Sequence, residues 1–212
     1  MEKKNNTLNY FIWFLIILII VVGAWIISEG KLKSNSGTPY TVYNGYLIYE
    51  LRDEKSLRYL VEAVANDVKY NHYFKNYPSD LLNLSYEKRI KEKVLYKDLG
   101  NSIKKDKIYF SYDPEMDGVE VLTAGTIIQI LGNSNAGIFK IPVVISVSED
   151  NNNPDFPIKT CEDATKEQGV ILLKYGEPKI YSEGECVIVQ GNNIEEFKKN
   201  NDLLGYMLLG VI

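Results

Sequence analysis

Cysteine, histidine and methionine are scarce in this chain of 212 residues: two Cys, one His and three Met. A structural zinc site takes four Cys or His ligands, and the single His72 stands far in sequence from Cys161 and Cys186. No Cys-x-x-Cys marks a dithiol redox centre. A glycine-rich phosphate loop and an EF-hand loop are absent too, and no nucleophile elbow accompanies His72. The segment HYF therefore reads as a capping or half-buried position at a helix end, not as a general base. Net charge is also small. Twenty-four basic against 28 acidic residues leave −4, a balance that serves solubility and supplies no clustered basic face for nucleic acid.

What is present in strength is one apolar run. YFIWFLIILIIVVGAWIIS, Tyr10 to Ser28, is uncharged for about 19 residues, enough for a helix of roughly 28 Å against a hydrocarbon core of ~30 Å. Trp13 and Trp25 stand near its ends, where indoles favour the headgroup level. The run exceeds the ~7 to 15 apolar residues of a cleaved signal peptide and has no A-x-A site behind it. It reads as an uncleaved, single-pass anchor. Lys3 and Lys4 before it nearly balance Lys31 and Lys33 after it, so the positive-inside rule alone barely orients it. The short leader and the cysteine pair place the N-terminus in the cytoplasm and the body outside. The expected organisation is a cytoplasmic tail at residues 1–9, an anchor at 10–28, a Gly/Ser/Pro-containing linker at 29–39 and an extracytoplasmic α/β (or α+β) domain at 40–212. A candidate subdivision lies near 101–107.

Within the body, YTVYNGYLIYEL predicts strand, with Asn44-Gly45 as a tight turn or bulge. From Asp53, an N-cap candidate, Leu57, Leu60, Val61, Val64 and Val68 recur at helical spacing and predict an amphipathic helix. Pro78 closes it, and Ser79-Asp80 opens a second, more polar helix to about Leu95. KIYFSYDP predicts a strand, DGVEVLTAGTIIQILG a helix closed by Gly132, and IFKIPVVISVSED a strand; that order is a βαβ crossover with parallel strands. GVILLKYG, PKIYSEG and ECVIVQG predict an antiparallel meander. The final NNIEEFKKNNDLLGYMLLGVI predicts a helix capped by Asn193 and packed on the mixed sheet. Its apolar end of about ten residues is too short to cross a bilayer.

Two readings of Cys161 and Cys186 stand open. One is a disulfide, worth roughly 3 to 4 kcal/mol in the chain-entropy model; the other is a pair of unrelated buried thiols. The best candidate for cation chemistry is YDPEMDG. Asp113, Glu115 and Asp117 follow a predicted parallel strand, where ligands sit in open α/β sheets, and Glu149 and Asp150 end the next strand. Asp113, Asp117 and Glu149 could hold Mg²⁺ or Ca²⁺, although Asp-Pro and Asp-Gly also simply make turns and caps. Sixteen tyrosines offer apolar area with a polar tip, either as a binding surface or as half-buried strand positions. Asn83-Leu84-Ser85 is a glycosylation sequon that matters only outside the cytoplasm.

The closing unit, TCEDATKEQGVILLKYGEPKIYSEGECVIVQG with a helix ending LLGVI, resembles the carboxyl-terminal portion of small archaeal membrane-anchored proteins of unassigned function. The resemblance covers the last third of the chain and implies one amino-terminal anchor with a Cys-bearing outer domain. Pilin subunits are similar only in outline, since the small residue and processing site before the helix, and a Glu within it, are missing here. The expected function is non-enzymatic: binding or assembly at the cell surface, or service as an accessory subunit of a membrane complex. A divalent-metal hydrolase built on Asp113, Asp117 and Glu149 and a pilin-like surface subunit are the alternatives.

Overall fold

The first hairpin forms where the backbone needs two residues with positive φ. Asn44 (φ 47°) and Gly45 (φ 84°) supply them, as a type I′ turn requires, and join β1 (Tyr40–Tyr43) to β2 (Tyr46–Arg52). Of the expected turn or bulge, the turn is what forms. In this computed structural model residues 39–54, 56–150 and 154–212 are described; the expected tail, the anchor at 10–28 and almost all of the linker lie outside them. No helix among the described residues is long and apolar enough to cross a membrane.

The segment expected to be an amphipathic helix is instead β3 (Leu57–Ala65) and β4 (Val68–Phe74). Asn66 (φ 50°) and Asp67 (φ 61°) repeat the two-residue turn between them. Val61 and Ala63 are buried while Val64 is 63% exposed, which is the period of two that a strand imposes. Asp53 accepts the Ser56 amide at 2.7 Å in a local turn. Strands β1 to β4 form an antiparallel four-stranded sheet in sequence order.

The second sheet has six strands: β5 (Ser85–Tyr86), β6 (Lys107–Tyr112), β7 (Val143–Val147), β8 (Gln168–Tyr175), β9 (Lys179–Glu183) and β10 (Cys186–Gly191), in the order β5-β9-β10-β8-β6-β7. Strands β6 and β7 are parallel, as the crossover predicts. The connecting helix is broken into α2 (Gly118–Leu122) and α3 (Gly125–Leu131). The polar stretch before β6 likewise divides into a 3-10 turn (Pro78–Leu81), β5 and α1 (Ile90–Leu95). The meander does not form. Strand β10 lies between its two predecessors, parallel to β8 and antiparallel to β9. Val170 to Leu173 and Val187 to Val189 are buried on successive positions, so both faces of β8 and β10 need cover, and central, parallel places provide it. The chain passes the end of β10 at Gly176 (φ 154°), where a Cβ would stand 2.5 Å from Gln190 Nε2.

Helix α4 (Ile194–Leu209) begins at Asn193, whose Oδ1 accepts the amides of Glu195 and Glu196 at 3.1 Å, and ends at Gly210 in the left-handed region (φ 82°). Every residue from Asn200 to Leu209 is buried, which marks a helix enclosed on all sides. It packs between the two sheets, not on one alone. Phe74 of β4 stacks on Tyr206 at 3.9 Å, and Phe197 and Leu203 join Val187 and Val189 of β10 in the same core. On the far face of the second sheet Val170, Leu172, Cys186 and Ile188 form a smaller core with Tyr109, Cys161 and Ala164. There the sulfurs of Cys161 and Cys186 lie at disulfide distance, with Cα atoms 5.1 Å apart.

Candidate functional site

Alternation gives the four-stranded sheet two different faces. Ile48, Val61, His72 and Phe74 point into the core. On the other side Tyr40 stands opposite Tyr49, Tyr49 opposite Leu60 and Leu60 opposite Tyr73. This apolar row runs straight across all four strands. Tyr40 and Tyr49 bring their rings to 5.8 Å, and the Arg58 guanidinium lies over Tyr73 at 5.9 Å. Beside the row Val42 is 65% and Val64 63% exposed. Glu62, opposite Asn71, stands between the row and Val64, which Lys69 of β4 faces; an apolar row edged by polar residues is what interaction surfaces present to solvent.

At the margin of the inner face the sheet parts from the core and leaves an open cleft of about 420 Å³. Glu50 and Tyr59, direct neighbours across β2 and β3, line it together with Thr41 and Ile48; Tyr77 and Asp80 enter from the turn behind β4. Tyr59 and Tyr77 bring their ring centres to 5.3 Å at 66°, and Tyr43 meets Tyr77 from another side at 6.0 Å and 85°. The hydroxyls of Tyr77 and Thr41 share a 2.8 Å hydrogen bond. Burial first, then the charges of Glu50 and Asp80, push the Tyr59 hydroxyl above its ordinary range, with Arg52 opposing. Both carboxylates therefore act on one spot.

The carboxylates singled out from sequence lie elsewhere. Asp113 follows β6, and its Oδ1 accepts the Glu115 amide at 2.9 Å. Asp117 caps α2 by accepting the Val119 amide at 2.9 Å. Glu115, Glu149 and Asp150 are exposed. Among the described residues, which include all of these, no group of three or more His, Cys, Asp or Glu side chains is placed to hold a metal ion. Glu120, near the start of α2, is a further carboxylate that nothing in the local sequence singles out; it is buried and accepts the Tyr175 hydroxyl at 2.6 Å.

His72 sits within β4, fully buried, not half-buried at a helix end. Burial lowers its pKa to about 4 against a smaller opposing effect of the Gln129 side chain, and among the described residues neither ring nitrogen has a hydrogen-bond partner. The ring is neutral near pH 7. Asp202, the other missed carboxylate, lies in the enclosed part of α4. Its Oδ2 accepts three hydrogen bonds of 2.8 Å, from the amides of Lys75 and Asn76 and from Asn76 Nδ2. Burial nevertheless raises its pKa to about 6. Asp202 borders a shallow groove of about 390 Å³ rimmed by Tyr73, Leu122 and Lys198. The one signal available in sequence was an acid four positions before Tyr206 on the helix's apolar stripe. Comparison of the chain with models of known protein families, with curated proteins and with solved structures finds no match.

Proposed function

We propose that this chain is a non-enzymatic binding protein, held in the membrane by residues 10–28 with its body outside, and that the outer face of β1–β4 docks a protein partner at the cell surface or within a membrane complex. The observation that carries this reading is the row Tyr40, Tyr49, Leu60 and Tyr73, registered across four strands, with Tyr40 and Tyr73 exposed at its ends and Tyr49 and Leu60 half-buried between them. Tyrosines offer large contact area at low conformational cost and keep a polar tip for the rim of an interface. The charges around the row are few and partly satisfied: Lys69 pairs with Glu62 at 2.8 Å. Two of the three carboxylates on which a Mg²⁺ or Ca²⁺ hydrolase would rest are engaged in a turn and a helix cap, which favours binding over hydrolysis.

Photo-crosslinking in native membranes tests the reading. A crosslinker at Val42 and, separately, at Val64 should capture one and the same protein, which a crosslinker at Glu183 on the other sheet should not. Leu60→Arg should abolish that product. Equal capture from all three positions, or none from the outer face, refutes it.

A further inference from the structure

We propose that the cleft at the inner margin of the four-stranded sheet binds a small organic ammonium ion, with its alkyl groups on Tyr59 and Tyr77 and its charge facing Glu50 and Asp80. The cleft adjoins the outer face, with which it shares Tyr40, but its groups Tyr59, Tyr77, Glu50 and Asp80 lie off that row and do not depend on the face having a partner.

The ring geometry is the first support. The Tyr59 and Tyr77 rings, both lining the cleft, meet edge to face at 66° and form its aromatic corner. Each ring face carries the negative side of the aromatic quadrupole, which attracts a cation lying within about 6 Å of the ring centre. Charge is the second. Glu50 and Asp80 line the same cleft, and both act on the Tyr59 hydroxyl. Among the described residues the cation acting on Tyr59 is Arg52, whose side chain is 72% exposed and pairs with Glu50 at 3.1 Å. A solvent-screened surface pair of this kind is weak and yields readily to a ligand. Among the described residues Asp80 makes no ion pair; its Oδ1 accepts a 3.3 Å hydrogen bond from Ser79 Oγ.

Together these groups select a ligand class. An anion meets two carboxylates. A hydrated metal ion finds no set of three ligating side chains among the described residues and gains nothing from the rings. A quaternary alkylammonium ion matches both halves: its methyl or methylene groups bury tyrosine surface, and its diffuse, weakly hydrated charge is easily drawn from water. The cleft, at about 420 Å³, has room for such an ion.

The test uses the full chain in a maltoside detergent free of choline lipids. Choline and its neutral isostere 3,3-dimethyl-1-butanol are titrated by calorimetry and by proton NMR of the ligand methyl groups. Choline should saturate with a Kd on the order of 1 mM, and the isostere should bind at least about tenfold more weakly. Because that comparison uses the unaltered protein, it does not depend on any variant folding. The pair Glu50→Gln and Asp80→Asn should weaken choline about tenfold and bring it close to the isostere. Choline that fails to saturate, or an isostere that binds equally well, overturns the proposal. The crosslinking result from the outer face is independent of either outcome.

Discussion

Replacing Asp202 by Asn tests the electrostatics of the core directly. The carboxyl is enclosed between α4 and the end of β4, and its pKa rises from 3.8 to about 6 on folding. A difference of about two units corresponds to about 3 kcal/mol. Because the folded protein holds the proton more tightly than the unfolded chain, this contribution is complete below pH 4 and disappears as the pH rises through 6. Asn keeps an oxygen for the donors of Lys75 and Asn76 and does not titrate. Asp202→Asn should therefore match the parent near pH 4 and exceed it by about 3 kcal/mol at pH 7. His72 acts in the opposite sense. Its pKa falls from 6.5 to about 4, so its stabilising contribution is present above pH 6.5 and is lost as the pH drops toward 4. The two effects offset, and the stability attributable to this pair should be nearly flat from pH 4 to 7 in the parent protein. Urea unfolding across that range, followed by the near-ultraviolet dichroism of the body's tyrosines, measures both curves. A difference between variant and parent that does not change with pH, or an Asn variant less stable at pH 7, would show that the three hydrogen bonds outweigh burial and refute the reasoning.

Two further predictions concern the second sheet. Mass spectrometry of protein taken from its native membrane with thiols blocked at lysis should find the Cys161 and Cys186 peptides linked, and reduction should cost about 3.5 kcal/mol in the chain-entropy model for a separation of 25 residues; two blocked, free thiols refute the bridge and remove its support for a body outside the cytoplasm. Lys105 has a fully enclosed side chain whose Nζ donates to the carbonyls of Thr165 and Lys166 and to Glu185 Oε2. Lys105→Met keeps the stem beside Gly169 but leaves both carbonyls without this donor, so the unfolding free energy should fall by about 2 kcal/mol; a fall below about 0.5 kcal/mol would mean that neither carbonyl needs it.

Features set by a few adjacent residues were legible from the sequence. Asn44-Gly45 turns because both positions tolerate positive φ. Asn193 starts α4 because its side chain reaches two free amides. The strands around the crossover pair in parallel, which a helix-length connection between them permits and a tight turn would not. Tertiary structure decided the rest. Leu57, Leu60, Val61, Val64 and Val68 fit a helical stripe in isolation. They became strands because β2 offers β3 a ladder and the core lies on one side of it, burying Val61 and leaving Val64 in water. The order β9-β10-β8 was equally invisible, since a short connection permits a hairpin but does not require one. Burial on both faces of β8 and β10 settled the matter. The sites were the least legible of all: Asp202 meets Lys75 and Asn76 across 126 to 127 residues, and the cleft joins the Glu50–Tyr59 strand pair to a turn beyond β4. Local sequence determines φ, caps and periodicity, because those depend on neighbours along the chain. Which faces are buried, and which side chains then meet, depends on elements that only folding brings together.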